Sequence, residues 1–162
     1  MSVAILSLGT NLGDRAANIK AMEEALEKIS SSPIISSPLY ESAPIDVNGK
    51  QENYYNKTLR INTDLSPAAL LEITQEIEKK LGRKSKNDKT SRSADIDILL
   101  FDEKQINSPE LCVPHPRMFF RKFAIEGVKA VASDLKNPLS GQKFADYRIN
   151  DEVLAQKTAI IE

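Results

Sequence analysis

The segment that most constrains the fold is a ten-residue run, Arg92-Ser93-Ala94-Asp95-Ile96-Asp97-Ile98-Leu99-Leu100-Phe101. Successive side chains of an extended strand point to opposite faces. Asp95 and Asp97 therefore share one face, at a spacing of roughly 6 to 7 Å along the strand. The opposite, apolar face is expected to consist of Ile96, Ile98 and Leu100. The pattern predicts a strand with one buried side and one acidic side.

The acidic side of this strand favours a metal-dependent phosphate site. Two neighbouring carboxylates repel unless a cation lies between them, and Mg²⁺ typically takes one or two carboxylates together with phosphate oxygens and water. Arg92 adds a planar guanidinium suited to phosphate. We therefore predict that Asp95 and Asp97 bind magnesium. The alternative is a solvated strand end with two surface acids and a surface arginine.

Composition limits the class of protein. A chain of 162 residues with 41% hydrophobic content fits one domain that buries about two thirds of its unfolded surface. The 22 Lys and Arg residues nearly balance 23 Asp and Glu, so nothing draws the whole chain to nucleic acid or to an anionic membrane. One cysteine, Cys112, fits a reducing compartment, and one histidine excludes a multi-histidine zinc site. We expect a cytoplasmic protein without a membrane span.

Hydrophobic periodicity predicts the order of the elements. Strands are expected at residues 3–8, 34–42, 54–63 and 95–101, with an edge strand at 104–106, and helices at about 14–30, 66–82 and 120–132. The order strand, helix, strand, strand, helix, strand is that of the ferredoxin-like double βαβ unit. We predict one α+β domain over residues 1–162, with a ferredoxin-like antiparallel sheet, helices on one face and the other face open for a ligand. The motifs lie in about residues 1–132, and the less regular tail 133–162 has no assigned role.

A basic loop is predicted next to the acidic strand. Residues 83–92 contain five cationic side chains and no apolar one, so the segment cannot bury itself. Because the loop enters the sheet beside Asp95 and Asp97, a polyphosphate is its simplest partner. A solvated loop that keeps the edge of the sheet polar is the alternative.

Three further groups of residues are candidates for binding. His115 lies between Pro114 and Pro116, which predicts an exposed ring that can bond phosphate together with nearby Arg117 and Arg121. The plainer interpretation is an idle surface histidine.

Tyr54 and Asn56 share one face of a predicted strand, where the ring can stack on a flat heterocycle and the amide can bind its edge. Gln75 and Glu78 are three residues apart on a predicted helix. Both pairs are equally compatible with ordinary surface positions.

In combination, these motifs resemble the 6-hydroxymethyl-7,8-dihydropterin pyrophosphokinase family, whose members transfer the β,γ-diphosphate of ATP to a pterin hydroxymethyl group and release AMP. The resemblance covers about the first 130 residues. It lies in Gly9 to Asp14, Tyr40 to Ile45, Tyr54 to Asn56, Arg92 to Phe101, and Val113 to His115.

The resemblance implies roles for individual residues. Asp95 and Asp97 match ligands of two Mg²⁺ ions that bridge the phosphates of ATP, the co-substrate. Arg83 and Arg92 match residues that neutralise charge during transfer, and His115 and Arg121 match phosphate contacts. Positions around the nucleotide are Gln75, Glu78, Ile98 and Cys112, with Lys86 or Lys89 as the phosphate contact from the loop. Positions of the pterin pocket are Ser42, Ala43, Pro44, Ile45, Tyr54, Asn56 and Phe123, where Tyr54 and Phe123 enclose the ring and Asn56 binds its edge. A free-standing monomer is expected.

Two other functions are compatible with the residues themselves. A different phosphotransferase or a nucleotidyl transferase also uses paired aspartates, but it releases pyrophosphate or a nucleotidyl product in place of AMP. A non-catalytic ferredoxin-like binding module would tolerate the loss of Arg92, Asp95 and Asp97, and its affinity for ATP would not depend on magnesium.

Overall fold

A computed structural model of the chain describes residues 1–44, 50–83 and 91–161. The described strands are β1 (Ser2–Thr10), β2 (Ile35–Ser36), β3 (Leu39–Ser42), β4 (Tyr54–Thr63), β5 (Asp95–Phe101), β6 (Ile106–Asn107), β7 (Cys112–Val113) and β8 (Thr158–Ile161). The described helices are α1 (Arg15–Glu27), α2 (Pro67–Lys80), α3 (Lys122–Ala132) and α4 (Asp151–Leu154), with short 3₁₀ turns at Met118–Phe120 and Phe144–Asp146. Among these, no helix combines the length and apolar character needed to cross a membrane.

The main sheet has the strand order β5-β1-β4-β3-β8, with β2 also paired to β4. The central strand β1 is antiparallel to both β4 and β5. The first four strands of this order, β5-β1-β4-β3, are arranged as in the ferredoxin-like fold. The predicted α+β class and antiparallel sheet are therefore confirmed.

The two long N-terminal helices begin where the sequence predicts. The Asp14 side chain accepts a hydrogen bond from the Ala17 amide at 3.1 Å and caps α1. Ser66 caps α2 in the same way, with Pro67 at the first helical position. The α2 helix is followed by Gly82, whose φ of +95° is the left-handed conformation that glycine adopts most easily.

Helices cover both faces of the sheet. Leu6 and Leu8 of β1 pack with α1 and α2 in one core, whereas Ile5 packs with α3 in a second core on the other side. The expectation of helices on one face therefore holds for α1 and α2 only. The α3 helix approaches β4 closely at Gly127, where a Cβ atom would lie 2.0 Å from Thr58 Oγ1. The part of this face that α3 leaves uncovered forms a cleft.

A β-bulge in β5 changes the predicted alternation. Ile5 pairs with Leu100 but Leu6 pairs with Ile98, so Leu99 is an extra residue. Ile98 therefore faces the α1 and α2 side, whereas Leu100 packs in the α3 core. The prediction that Leu100 shares a face with Ile96 is wrong, because a bulge shifts the side chains that follow it. Asp95 and Asp97 precede the bulge and keep their common face.

Two predicted strands are interrupted or displaced. The segment predicted as one strand over 34–42 breaks between β2 and β3, where the Ser37 hydroxyl accepts a hydrogen bond from the Thr58 amide at 2.9 Å and Pro38 has no amide hydrogen. The edge strand predicted at 104–106 is instead β6, which pairs with β7 in a separate two-stranded sheet.

The tail is part of the folded domain. Residue Phe144 is fully buried and Val153 is nearly so, both in the α3 core. Strand β8 then pairs with β3 and forms an edge of the main sheet. The tail, predicted to be less regular, thus contributes short elements whose positions depend on contacts with distant parts of the chain.

Candidate active site

The cleft beside α3 contains a cavity of about 290 Å³. Its floor comes from β1, β3, β4 and β5, and its wall comes from residues 117–123. The lining residues are Ser7, Gly9, Ser42, Ala43, Tyr54, Asn56, Arg92, Asp95, Asp97, Arg117, Phe120, Arg121 and Phe123. The structure thus brings the predicted acidic residues together with most of the predicted pterin-pocket residues.

Sheet register explains the floor of this cavity. Gly9 of β1 pairs with Asn56 on one side and with Asp95 on the other. A Cβ atom at position 9 would lie 3.4 Å from Asn56 Oδ1 and 3.6 Å from a ring carbon of Tyr54. Glycine at this position therefore keeps the floor open between the polar groups of the neighbouring strands.

A second cavity of about 210 Å³ adjoins the first. It contains Ile98, Cys112 and His115, three residues predicted near the nucleotide. Asp97 and Arg117 line both cavities. Two ligands, one bound in each cavity, would therefore meet at the acidic edge of β5.

The acidic pair is flanked by two arginines and a histidine. Asp95 forms ion pairs with Arg83 and with Arg92, the latter at 3.5 Å. Asp97 Oδ1 lies 3.9 Å from His115 Nε2. These neighbours reduce the repulsion between the two carboxylates and create a site for a charged ligand.

Arg83 and Glu78 lie beneath the site. Their side chains are each 4% exposed and form an ion pair at 3.3 Å, while the Glu78 carboxylate also accepts a hydrogen bond from the Ile96 amide at 2.8 Å. Arg83 donates to the Ala94 carbonyl at 3.2 Å. Glu78 was predicted near the nucleotide, and the structure places its carboxylate under β5, outside both cavities. The ion pair instead ties α2 to the acidic strand.

Asn11 holds the backbone of Arg92. The Arg92 amide donates to Asn11 Oδ1 at 2.7 Å, and the Asn11 amide donates to the Arg92 carbonyl at 2.8 Å. The Asn11 side-chain amide reaches Gln51 and the Glu52 carbonyl at 3.0 and 3.2 Å. This buried residue belongs to the Gly9 to Asp14 motif, and it connects the arginine to the segment that leads into β4.

His115 is more buried than the sequence suggests. Its side chain is 19% exposed, and its amide donates to the Leu99 carbonyl at 2.9 Å, which holds the segment against β5. The prediction of an exposed ring is therefore wrong. Burial lowers the pKa of His115 below its ordinary value, and the nearby Asp97 carboxylate only partly opposes this effect.

The imidazole is consequently neutral at neutral pH. Its Nδ1 accepts a hydrogen bond from the Arg117 amide at 3.2 Å, so the proton resides on Nε2, on the side of Asp97. Burial also lowers the pKa of Arg121 below its ordinary value, with Asp97 opposing the change. Because the ordinary pKa of arginine is very high, Arg121 remains charged.

Asn56 is oriented by Ser42. The Asn56 side chain is buried, and its Nδ2 donates to Ser42 Oγ at 2.7 Å. Tyr54 and Phe123 line the same cavity and are half-buried. The predicted common face of Tyr54 and Asn56 is confirmed. Burial raises the pKa of Tyr54, so its phenol is neutral at neutral pH.

Some predicted residues lie elsewhere. Gln75 is exposed on α2 and lines neither cavity, and Pro44 follows the cavity residue Ala43 without lining it. Ile45, Lys86 and Lys89 lie outside the described residues.

Sequence reasoning gave no place in the larger cavity to Ser7, Gly9 or Phe120. Ser7 could have been found, because it is two residues before Gly9 on the same strand and so faces the same side. Phe120, which is 69% exposed, lies in a 3₁₀ turn whose direction no periodic pattern indicates.

The chain is similar to known proteins in sequence and in fold. Residues 5–133 match the model of the family described as 7,8-dihydro-6-hydroxymethylpterin-pyrophosphokinase. The chain is 34% identical over 136 residues to the 2-amino-4-hydroxy-6-hydroxymethyldihydropteridine pyrophosphokinase of Bacillus subtilis, covering 83% of this chain and 81% of the relative.

Longer relatives contain a similar segment. The chain is 40% identical over 145 residues to the folic acid synthesis protein fol1 of Pneumocystis carinii, covering 88% of this chain but only 19% of that protein. The crystal structure of wild-type Plasmodium falciparum HPPK-DHPS with pteroate has the same fold, with a TM-score of 0.66 and 18% identity over 89% of this chain and 41% of that one.

Proposed function

Because this chain belongs to the 7,8-dihydro-6-hydroxymethylpterin-pyrophosphokinase family, we propose that its two adjoining cavities bind the two substrates of pyrophosphoryl transfer. The protein is an enzyme of folate biosynthesis that transfers a pyrophosphoryl group to hydroxymethyldihydropterin, with ATP as the co-substrate. The larger cavity takes the pterin and the smaller takes the nucleotide. The observation that carries this assignment is that both cavities meet at Asp97.

The larger cavity has the groups that a pterin requires. Tyr54 and Phe123 supply aromatic faces, and Asn56 supplies an amide whose orientation Ser42 restrains. An amide presents both a donor and an acceptor, which suits the heterocycle edge. Ala43 lines the same cavity. We assign Pro44 and Ile45 to the pterin pocket from the family resemblance alone.

The smaller cavity suits the nucleotide. Ile98 and Cys112 provide its apolar part, and His115 and Arg117 lie toward the acidic strand. We assign phosphate contacts to His115, Arg92 and Arg121, with Lys89 or Lys86 as a further contact and Gln75 as an outer position near the nucleotide.

Asp95 and Asp97 fit magnesium. Within the described part of the chain, no cluster of three or more His, Cys, Asp or Glu side chains forms a metal cage. Magnesium does not need one, since it is usually held by one or two carboxylates, substrate phosphates and water. We propose that the two aspartates hold two Mg²⁺ ions together with ATP. When bound, the ions neutralise charge on the phosphates.

The protein residues contribute mainly by positioning and charge. Transfer of a phosphoryl-type group requires little covalent help, so catalysis depends on placing the pterin hydroxymethyl oxygen in line with the β-phosphorus and on neutralising charge. The buried Arg83 fixes Asp95, while Arg92 and Arg121 supply positive charge in the larger cavity. Neutral His115 can donate its Nε2 proton in a hydrogen bond to a phosphate oxygen. AMP is the leaving group.

We propose that the protein acts as a monomer. The ATP-dependent reaction and the free thiol of Cys112 are consistent with a cytoplasmic location.

An assay of AMP formation from ATP and 6-hydroxymethyl-7,8-dihydropterin tests the proposed pterin site. Replacing Asn56 with alanine should raise the pterin KM by about 10- to 100-fold, since a lost hydrogen bond in a buried site costs about 1 to 3 kcal/mol. Asn62→Ala is a matched control, because Asn62 is on the same strand and also donates to a serine hydroxyl, that of Ser32, but lies outside both cavities. An equal KM change in the two variants would refute the site.

The same assay tests the metal assignment. Asp97→Asn preserves the shape of the side chain but removes its charge, so AMP formation should fall by at least about 100-fold while the unfolding free energy changes little. Wild-type activity in this variant would overturn the metal assignment. Release of pyrophosphate in place of AMP by the wild-type enzyme would instead overturn the proposed reaction.

A further inference from the structure

The N-terminus of α3 carries the aromatic and cationic wall of the larger cavity. Phe120, Arg121 and Phe123 all belong to it. No side chain within the helix caps this end, because Arg121 occupies the N-cap position and makes no capping hydrogen bond. The first free amides of a helix normally need a partner, which must here come from elsewhere in the fold.

Gln156, in the turn between α4 and β8, provides that partner. Its Oε1 accepts a hydrogen bond from the Lys122 amide at 3.0 Å, and its Nε2 donates to the Phe120 carbonyl at 2.7 Å. Its own carbonyl accepts a hydrogen bond from Lys122 Nζ at 3.4 Å. One side chain therefore bonds both backbone groups that flank Arg121.

The tail also supports the opposite wall of the cavity. Gln156 is two residues before Thr158, which pairs with Ser42 in the β3–β8 ladder. Ser42 in turn orients Asn56. The segment around Gln156 is itself anchored, because the Gln156 amide donates to the carbonyl of Val153, a buried residue, at 3.1 Å. Residues 156–158 thus connect the two sides of the cavity.

We propose that Gln156 is a positioning residue for the wall formed by Phe120, Arg121 and Phe123, and that the tail thereby helps to determine how productively the pterin binds. Gln156 lies beyond residues 5–133, the segment that matches the family model. The inference rests on the proposed function, since it assumes that this wall contacts the pterin and the transferred phosphates. Gln156 acts through the backbone of its neighbours and does not itself line either cavity.

The test uses Gln156→Met, which preserves side-chain length and removes both side-chain hydrogen bonds. We expect kcat/KM for the pterin to fall by about tenfold, because misplacement of a positioning group by about 1 Å can cost up to about 100-fold. Gln156→Glu keeps an acceptor for the Lys122 amide but loses the donor to Phe120, so its kcat/KM should be intermediate.

Asn150→Ala is the matched structural control. The Asn150 side chain caps α4 by accepting from the Glu152 amide at 2.8 Å, so its loss weakens the same tail without touching α3. Both variants should lower the melting temperature by a few degrees, but only Gln156→Met should lower kcat/KM by more than about twofold. Equal kinetic losses, or wild-type kinetics in Gln156→Met, would overturn the inference.

A double-mutant cycle with Phe123→Ala separates positioning from general loosening. If Gln156 acts through this wall, Gln156→Met should change the pterin KM less in the Phe123→Ala background than in the wild type. Additive effects would overturn the inference. An unchanged pterin KM in Phe123→Ala alone would instead show that the proposed pterin site is wrong. A raised KM in that variant, with wild-type kinetics in Gln156→Met, would remove only the role of Gln156.

Discussion

Replacing Glu78 with alanine should destabilise the protein strongly. The substitution leaves the buried guanidinium of Arg83 without one partner and the Ile96 amide without its carboxylate acceptor. Breaking a buried ion pair costs about 3 to 5 kcal/mol. Because Arg83 keeps Asp95 and the Ala94 carbonyl, we expect a value near the lower end, about 3 kcal/mol. That loss remains below the about 5 to 15 kcal/mol by which a typical domain is stable, so the variant should still fold.

The measurement is urea-induced unfolding followed by far-ultraviolet circular dichroism near neutral pH. Glu78→Gln keeps an oxygen that can accept from the Ile96 amide, so its cost should be smaller, about 1 to 2 kcal/mol. Glu72→Ala is the control on the same helix, where the side chain is exposed, and it should change the unfolding free energy by no more than about 0.5 kcal/mol.

Binding of a non-hydrolysable ATP analogue separates support from direct contact. If Glu78 supports Arg83 and β5, the loss of unfolding free energy in Glu78→Ala should accompany any loss of affinity or of AMP formation. A variant with wild-type stability and about tenfold weaker nucleotide binding would refute this interpretation and indicate direct contact. Equal losses of stability in the glutamine and alanine variants would also contradict it.

Two further predictions concern packing and pH. Gly127→Ala places a Cβ 2.0 Å from Thr58 Oγ1 and 2.7 Å from Thr58 Cβ. The overpacking cost of about 1 to 3 kcal/mol exceeds the gain in helix propensity of about 1 kcal/mol. Urea unfolding should therefore show a net loss of unfolding free energy in Gly127→Ala. A more stable variant would contradict the packing argument. Burial, with a smaller contribution from Glu126, raises the pKa of Tyr40. The stability that Tyr40 contributes is fully present below its unfolded pKa of about 10, and it is lost as pH rises through the higher folded pKa. The wild type should therefore lose unfolding free energy above about pH 10 more steeply than Tyr40→Phe. Parallel pH profiles of the two proteins would refute this prediction.

Local patterns were sufficient for the parts of the site that lie on one strand. The alternation of side chains along a strand placed the carboxylates of Asp95 and Asp97 on one face. The same alternation placed Tyr54 and Asn56 on one face of β4. The cap at Ser66 and the glycine at position 82 marked the ends of α2. Each feature depends on residues a few positions apart, whose preferences persist in most tertiary contexts.

Features that depend on distant partners could not be predicted. The bulge at Leu99 arises from how β5 pairs with β1, and His115 is buried because its backbone bonds to Leu99. The family resemblance placed Glu78 near the nucleotide, and the spacing of residues on a helix could not reveal that its carboxylate bonds the Ile96 amide of β5. The tail contains no motif, so neither its strand β8 nor the bonds of Gln156 were expected.

The amino-acid sequence by itself determined the acidic strand, the order of the main elements and the resemblance to one enzyme family, because these are encoded by short patterns and residue types. Only the tertiary structure decided that two cavities meet at Asp97, that Asn11 holds Arg92 and that Gln156 reaches the start of α3. The physical reason is that hydrogen bonds and burial of this kind join residues far apart in the chain, and their partners become identifiable only when the sheet register and the packing of α3 are known.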